Sequence, residues 1–246
     1  MATTTILSAN EILNRVAAEV GVQPVTDPYS STDPSFIKMR YLINIAGEEL
    51  TQAHNWEFMN KTHTFTTDAA TYPTGEYPLP ADFGSMINQT GWEQSQRVPL
   101  GGPLTSQDWA YLEGRNFSDS TIYASFRLND GLFNIYPSPP ADGLIISYQY
   151  VSIAWARSAT APFVYTNDIT VGTQLPLFDR TLMTRYLKLK FLEATGFDST
   201  KAQEDFSRVF LFLTSKDKGA GVLSQGSNAA YPYISNLNLP ITGYGL

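Results

Sequence analysis

Apolar side chains recur every three or four residues in four stretches of this chain, and every second residue in another, which marks out helices and strands. In SANEILNRVAAEVG, Ile12, Leu13, Val16, Ala17 and Val20 follow helical spacing. Ser8 and Glu11, three residues apart, form a capping box ahead of them, and Gly21 supplies the stop. After the loop QPVTDPYSST, a second helix begins near Asp33 and Pro34, a proline that the first helical turn tolerates, and runs to about Asn60. Its seam is Phe36, Met39, Ile43, Ala46, Leu50 and Ala53; Leu42, Ile45 and Trp56 widen the stripe into that of the central helix of a bundle.

From about Thr62 to Ile153 the pattern shortens. THTFTT, YPLP, SMINQTGW and RVPL are β-favouring pieces punctuated by Gly and Pro. Thr105 and Asp108 make a second capping box, so TSQDWAYLEG predicts one short helix ended by Gly114. Asp130 and Gly131 then separate two runs of strand formers, the signature of a hairpin turn that needs positive φ. Beyond it, Leu144, Ile146, Tyr148 and Tyr150 alternate onto one face of a strand, and the region is expected to be an antiparallel meander.

Residues 154 to 174 show no period and predict a long loop with a short strand or two, a length that is either functional or held by something else. Helical spacing resumes near Pro176, with Leu182, Met183, Tyr186, Leu187 and Ala194 on one face and a stop at Gly196. A last helix, from about Ser199 to Ser215, carries Ala202, Phe206, Val209 and Leu213. The predicted class is therefore α+β. It comprises an antiparallel bundle of about four helices (residues 1–61 and 175–216), an inserted, mostly antiparallel β domain with one short helix (62–174) and an extended C-terminal arm (217–246).

Composition narrows the function. The chain has 246 residues, 43% hydrophobic, 13% aromatic and only 16% charged, so its surface is sparing with charge and disposed to meet other surfaces. A net charge of −7 opposes broad phosphate binding, which depends on Lys and Arg displacing counterions. With no cysteine, disulfides and thiolate metal sites are excluded. The N-terminus lacks the basic and apolar regions of a secretory signal, and no apolar run is long enough to span a bilayer; a cytosolic site of synthesis is expected and no membrane contact.

No catalytic, cofactor-binding or metal-binding residue is predicted. His54 and His63 lie across a helix end with no evident partner, and His54 reads as a surface or rim residue. Glu48 with Glu49, and Glu204 with Asp205, are adjacent on helices, point in different directions and read as solvated faces. LNDGLFNIY lacks the ligand ladder of a calcium loop and reads as a turn. Trp92, Trp109, Tyr123 and Tyr136 could stack sugars as a carbohydrate-binding module, or serve as core.

Several of these pieces, in this order, resemble the head-to-tail adaptor proteins of tailed bacteriophages, the connector beneath the portal ring. They are EILNRVAAEVGVQPV, KMRYLINIAGEELTQAHNWEFMNKTHTFTT, YPLPADF, PLGGPLTSQDWAYL, FRLNDGLFNIYPSPPADGLIISYQYVSIAW and LMTRYLKLKFLEATGFD, covering about residues 6 to 213. The resemblance implies a structural virion protein of the neck, assembled in the host cytoplasm. It implies a homo-oligomeric ring, most often a dodecamer, between the portal protein ring and the tail nozzle or tail tube. Genomic DNA would pass through its lumen without specific binding. An acidic conduit suits that role, because a negative wall does not hold DNA. The competing reading is a glycan-binding module of a phage tail or adhesin.

The end of the chain fits an adaptor. KDKGAGVLSQGSN reads as a flexible linker, and AAYPYISNLNLPITGYGL follows it with apolar side chains that only another chain could bury. Tyr231, Tyr233, Ile234, Leu237, Leu239 and Ile241 are the expected portal-binding anchors, and the free protein is expected to be a monomer that assembles on the portal.

Overall fold

The computed structural model describes residues 6–95, 97–115, 125–138 and 140–217. Five helices and eleven short strands follow in the order α1 (Ala9–Glu19), α2 (Pro34–Ala53), β1 (Asn60–Thr66), β2 (Glu76–Pro78), β3 (Phe83–Met86), β4 (Trp92–Glu93) and β5 (Val98–Pro99). Then come α3 (Ser106–Arg115), β6 (Ser125–Asn129), β7 (Leu132–Tyr136), β8 (Ile145–Ser152), β9 (Ala156–Arg157), β10 (Tyr165–Thr166), β11 (Leu175–Pro176), α4 (Arg180–Thr195) and α5 (Thr200–Asp217). The class is α+β, and every strand pair in the three sheets is antiparallel.

Local chemistry sets the helix ends. The Ser8 hydroxyl accepts from the Glu11 backbone N–H while Glu11 accepts from the Ser8 N–H at 2.7 Å, completing the capping box of α1. Asp33 caps α2, with its carboxylate 2.7 Å from the Ser35 N–H, and Asp179 caps α4. Gly196 closes α4 in the left-handed region, at φ 75°. The helix expected from Pro176 thus starts later, at the first residue after a capping aspartate.

Three other expectations change. The run from β6 to β8 is not a meander, because β7 pairs with β2 and β6 while β8 takes β1, β3 and β4 as partners in a separate sheet. The second helix stops at Ala53 rather than near Asn60. His54 adopts an extended backbone, and the Trp56 indole folds back to donate to the Leu50 carbonyl at 2.7 Å, satisfying one of the helix's last acceptors. A short 3-10 turn, Glu57–Met59, then leads directly into β1. Nor is α2 the centre of the helical layer: α4 packs against α1, α2 and α5. Ala53, Ala194 and Ile45, read as seam or face residues, are exposed.

The buried side chains form two clusters. One joins α1, α2 and α4 with Trp56, Met59, Trp155, Ala156, Ile169 and Phe178. Partly buried Phe206, Val209, Phe210 and Leu213 of α5 complete it. The other lies within the sheets: Tyr77, Leu100, Phe126, Phe133, Ile135, Ile146, Tyr148 and Tyr150. Phe126, Phe133 and Tyr148 stack in succession, with centroids 4.7 and 5.0 Å apart. The alternation expected for Ile146, Tyr148 and Tyr150 points them into this cluster, and the turn at Asp130 and Gly131 has φ of 51° and 72° between β6 and β7.

A seven-residue ladder connects the clusters. β1 and β8 pair from Asn60↔Val151, beside the helices, to Thr66↔Ile145, a reach of about 20 Å at strand spacing. Asp82 pins its inner end, accepting from Lys61 Nζ and the Ser152 hydroxyl, both at 2.6 Å, and from the Tyr150 hydroxyl at 2.8 Å.

The unperiodic stretch after β8 is held down by the helices. Trp155, 1% exposed, lies flat against the one residue of α2 with no side chain, Gly47, and stacks near Phe178. Asn44 pairs twice with the backbone of Ile169, donating at 3.1 Å and accepting at 2.9 Å. The carbonyls of Gly172 and Gln174 accept the N–H groups of Asn10 and Ala9 at the start of α1. β9, flanked by β10 and β11, is thereby fixed on the helical cluster.

A Cβ at Gly47 would lie 2.2 Å from the Trp155 ring, far inside contact distance, so Gly47→Ala is expected to destabilise the fold by about 1–3 kcal/mol or more, read as a lower denaturation midpoint. An unchanged midpoint would show that the indole is not tightly seated. Burial raises the Asp82 pKa, but the Lys61, Ser152 and Tyr150 hydrogen bonds outweigh it, so its carboxyl titrates below the ordinary value of 3.8. A depressed folded pKa adds stability that is present above the unfolded value and disappears as pH falls through the folded one. Asp82→Asn is therefore expected to flatten the acid limb of the stability curve below about pH 4; an acid limb as steep as that of the parent protein would contradict the assignment.

Candidate functional site

The residues to which chemistry might be attributed are mostly engaged in holding the fold. His54 is half-buried rather than at the rim: its Nε2 lies 3.1 Å from Asp217 and its ring meets Trp56 edge-on at 4.8 Å. Asp217 also accepts the Glu57 N–H at 3.0 Å, so the end of α5 is tied to the end of α2. His63 sits against Phe65 and Tyr148, and burial holds its pKa below the usual imidazole value although Asp82 pulls the other way. Among the described residues, no group of three or more His, Cys, Asp or Glu could hold a metal ion, and no helix is long and apolar enough to cross a membrane.

Glu49 is not simply solvated, as its place beside Glu48 predicts. Lys190 Nζ approaches it to 2.7 Å and the Tyr186 hydroxyl donates to it, joining α2 to α4. Burial raises its pKa, but these two donors outweigh that and hold the carboxyl below its usual value. Glu204 and Asp205 pair with Lys201 on the surface of α5, where such pairs contribute little.

The aromatic residues proposed to stack sugars do not form one platform. Trp109 and Tyr136 are 4% and 7% exposed and meet edge-to-face, fastening α3 to β7. The Trp109 Nε1–H donates to Glu113 at 2.7 Å and the Tyr136 hydroxyl to the Leu112 carbonyl at 3.2 Å, so both are satisfied internally. Trp92 is open to solvent on β4, and Tyr123 lies outside the described residues.

Apolar surface that the fold leaves uncovered is a more prominent feature. On α2, Ile37, Tyr41 and Ile45 recur at every fourth residue on the face opposite the core. Leu211 and Phe212 face outward on α5, and Phe163, Val164 and Tyr165 form a second exposed group at the turn into β10. Helical stripes of this kind are ordinarily buried, and grouped exposed apolar side chains mark surfaces that meet other proteins. The residues Tyr231, Tyr233, Ile234, Leu237, Leu239 and Ile241 lie outside the described residues; the segment that contains them starts where Asp217 is anchored to His54. Sequence periodicity registered the surplus of apolar residues but assigned Ile45 to the core stripe.

A comparison with curated proteins finds none that matches the chain. A family model, that of the SU10 adaptor protein, matches residues 7–229. The match spans α1 through α5, including the helices, the β1–β8 ladder and the segment seated on Gly47. With nearly its whole length matched, the chain belongs to the SU10 adaptor protein family, a family of phage head-to-tail adaptors.

Proposed function

We propose that the protein is the neck adaptor that forms a ring on the portal and joins it to the tail nozzle or tube, with DNA passing through the lumen. The family match over residues 7–229 is the observation that carries this reading. The uncovered apolar faces support it. A ring of identical subunits closes through two different, complementary surfaces on each copy, and a chain with several separate apolar patches has material for both.

In this reading α1, α2, α4 and α5 act as the bundle, residues 1–61 and 175–216, and the inserted segment 62–174 projects from it. Residues 217–246 form an arm that becomes ordered on the portal, with Tyr231, Tyr233, Ile234, Leu237, Leu239 and Ile241 as anchors. The tie of Asp217, the last residue of α5, to His54 and Glu57 supports a start of the arm at this point. Net charge −7 suits a conduit, since an excess of carboxylates repels phosphates in passing. The role is structural: a surface for assembly, with no reaction required.

Truncation after Lys218 tests the arm. If the arm packs on the portal and not on its own chain, the shortened protein should keep the thermal unfolding of the full chain yet lose most of its binding to purified portal rings in a sedimentation assay. Equal filling of portal rings by both forms would exclude the arm as the portal contact.

A further inference from the structure

An acidic chain would be expected to scatter its few cations, yet α1 and α4 bring several together. Arg15 and Glu19 from α1, with Arg180, Thr181 and Arg185 from α4, line a cleft of about 400 Å³. Lys188, one turn further along α4, reaches Glu19 at 2.9 Å, as does Arg185. One carboxylate thus serves two cations, and Arg15 and Arg180 form no ion pair within 4 Å among the described residues. The cleft has a local excess of positive charge on a protein of net charge −7.

The opposite sign collects at the far end of the β1–β8 ladder. Asp68 and Asp142 are exposed in the loops that follow β1 and precede β8, Glu76 is exposed at the start of β2, and no Lys or Arg pairs with them among the described residues. Asp142 accepts the Ala69 N–H at 2.6 Å, so two of the loops are joined there. Hydrogen bonds from Thr71 and Ala70 keep the Asp68 carboxyl ionised to lower pH than usual. The ladder begins at the helical cluster and carries these loops about 20 Å away from its inner end.

We infer that the cleft between α1 and α4 receives the acidic tip of the β segment of a second copy of this chain, and that this charged contact sets the head-to-tail order of subunits in the ring. The inference rests on the ring reading above and names its interface. Guanidinium groups hold carboxylates in a two-pronged geometry, and Arg15, which feels the Glu11 charge without pairing with it, and Arg180 leave donors for incoming carboxylates beside the shared Glu19. Such pairs give orientation and partner choice more than raw affinity. A DNA backbone fits less well, because Glu19 sits inside the cluster and the net charge of the chain repels phosphates.

Complementary charge reversal tests this with the full-length chain on purified portal rings, counting bound copies by native mass spectrometry. One variant is Arg15→Glu/Arg180→Glu, the other Glu76→Lys/Asp142→Lys, each first shown by thermal unfolding to retain the parent fold. Each alone should load portal rings at least about tenfold more weakly than the parent chain, from loss of charge complementarity. An equimolar mixture should restore full loading, since alternating copies place every reversed tip in a reversed cleft. Unimpaired loading by either variant, or failure of the mixture to restore it, overturns the inference while leaving the ring reading intact. A cleft variant that loads normally but binds a labelled DNA duplex less tightly would instead assign the cleft to phosphate. If the parent chain itself adds to the portal only as isolated copies, the ring reading fails.

Discussion

The pairing of β1 with β8 is the constraint on which the rest of the structure depends. Its seven residue pairs run from the helices to the distal loops, and each end is built into a different buried cluster. At the inner end, Met59 precedes β1 and Trp155 follows β8, and both lie in the helical cluster. At the outer end Phe65 packs on Tyr77 and Phe133 in the sheet cluster. A change in register by one residue would exchange Ile146, Tyr148 and Tyr150 for polar Ser147 and Gln149 in the core, so burial on one face fixes the ladder. β3 and β4 pair with it directly and Phe133 of β7 stacks on its Tyr148, while β9, β10 and β11 form a separate sheet on the helical cluster.

Elements with local determinants were legible in the sequence. The capping box of Ser8 and Glu11, the helix start near Asp33 and Pro34, the stop at Gly196 and the turn at Asp130 and Gly131 each depend on a few neighbouring residues, and the structure contains them all. What depended on distant partners was not. The end of α2 is decided by Trp56 folding back and by Asp217 arriving from the end of α5, and neither appears in helical periodicity. The need for glycine at position 47 comes from Trp155, a residue distant in the chain. The segment after β8 has no period because the side chains of Asn44 and Gln174, together with the start of α1, satisfy its backbone in place of a regular ladder.

The same division applies to function. Few charges and many aromatics gave the expectation of a protein that meets other proteins, but composition does not say which faces do so. Ile37, Tyr41 and Ile45 became a surface only when α4, not α2, proved to be the central helix. Arg15 and Arg180 are distant in the chain and become neighbours only through the packing of α1 on α4. Trp109 and Tyr136, attractive as a sugar platform in sequence, are consumed in attaching α3 to the sheet. The family match agrees with a chain whose interior is filled by its own side chains and whose outward apolar stripes are exposed in the single molecule.

A density map of the intact virion neck would show whether surfaces left open by one chain are completed by others. The account predicts a closed ring of this protein coaxial with the portal, in which the outward stripe of Ile37, Tyr41 and Ile45 is covered by protein from another chain. A single copy off the axis, or a ring in which that stripe and the outward residues of α5 all face solvent, would contradict it.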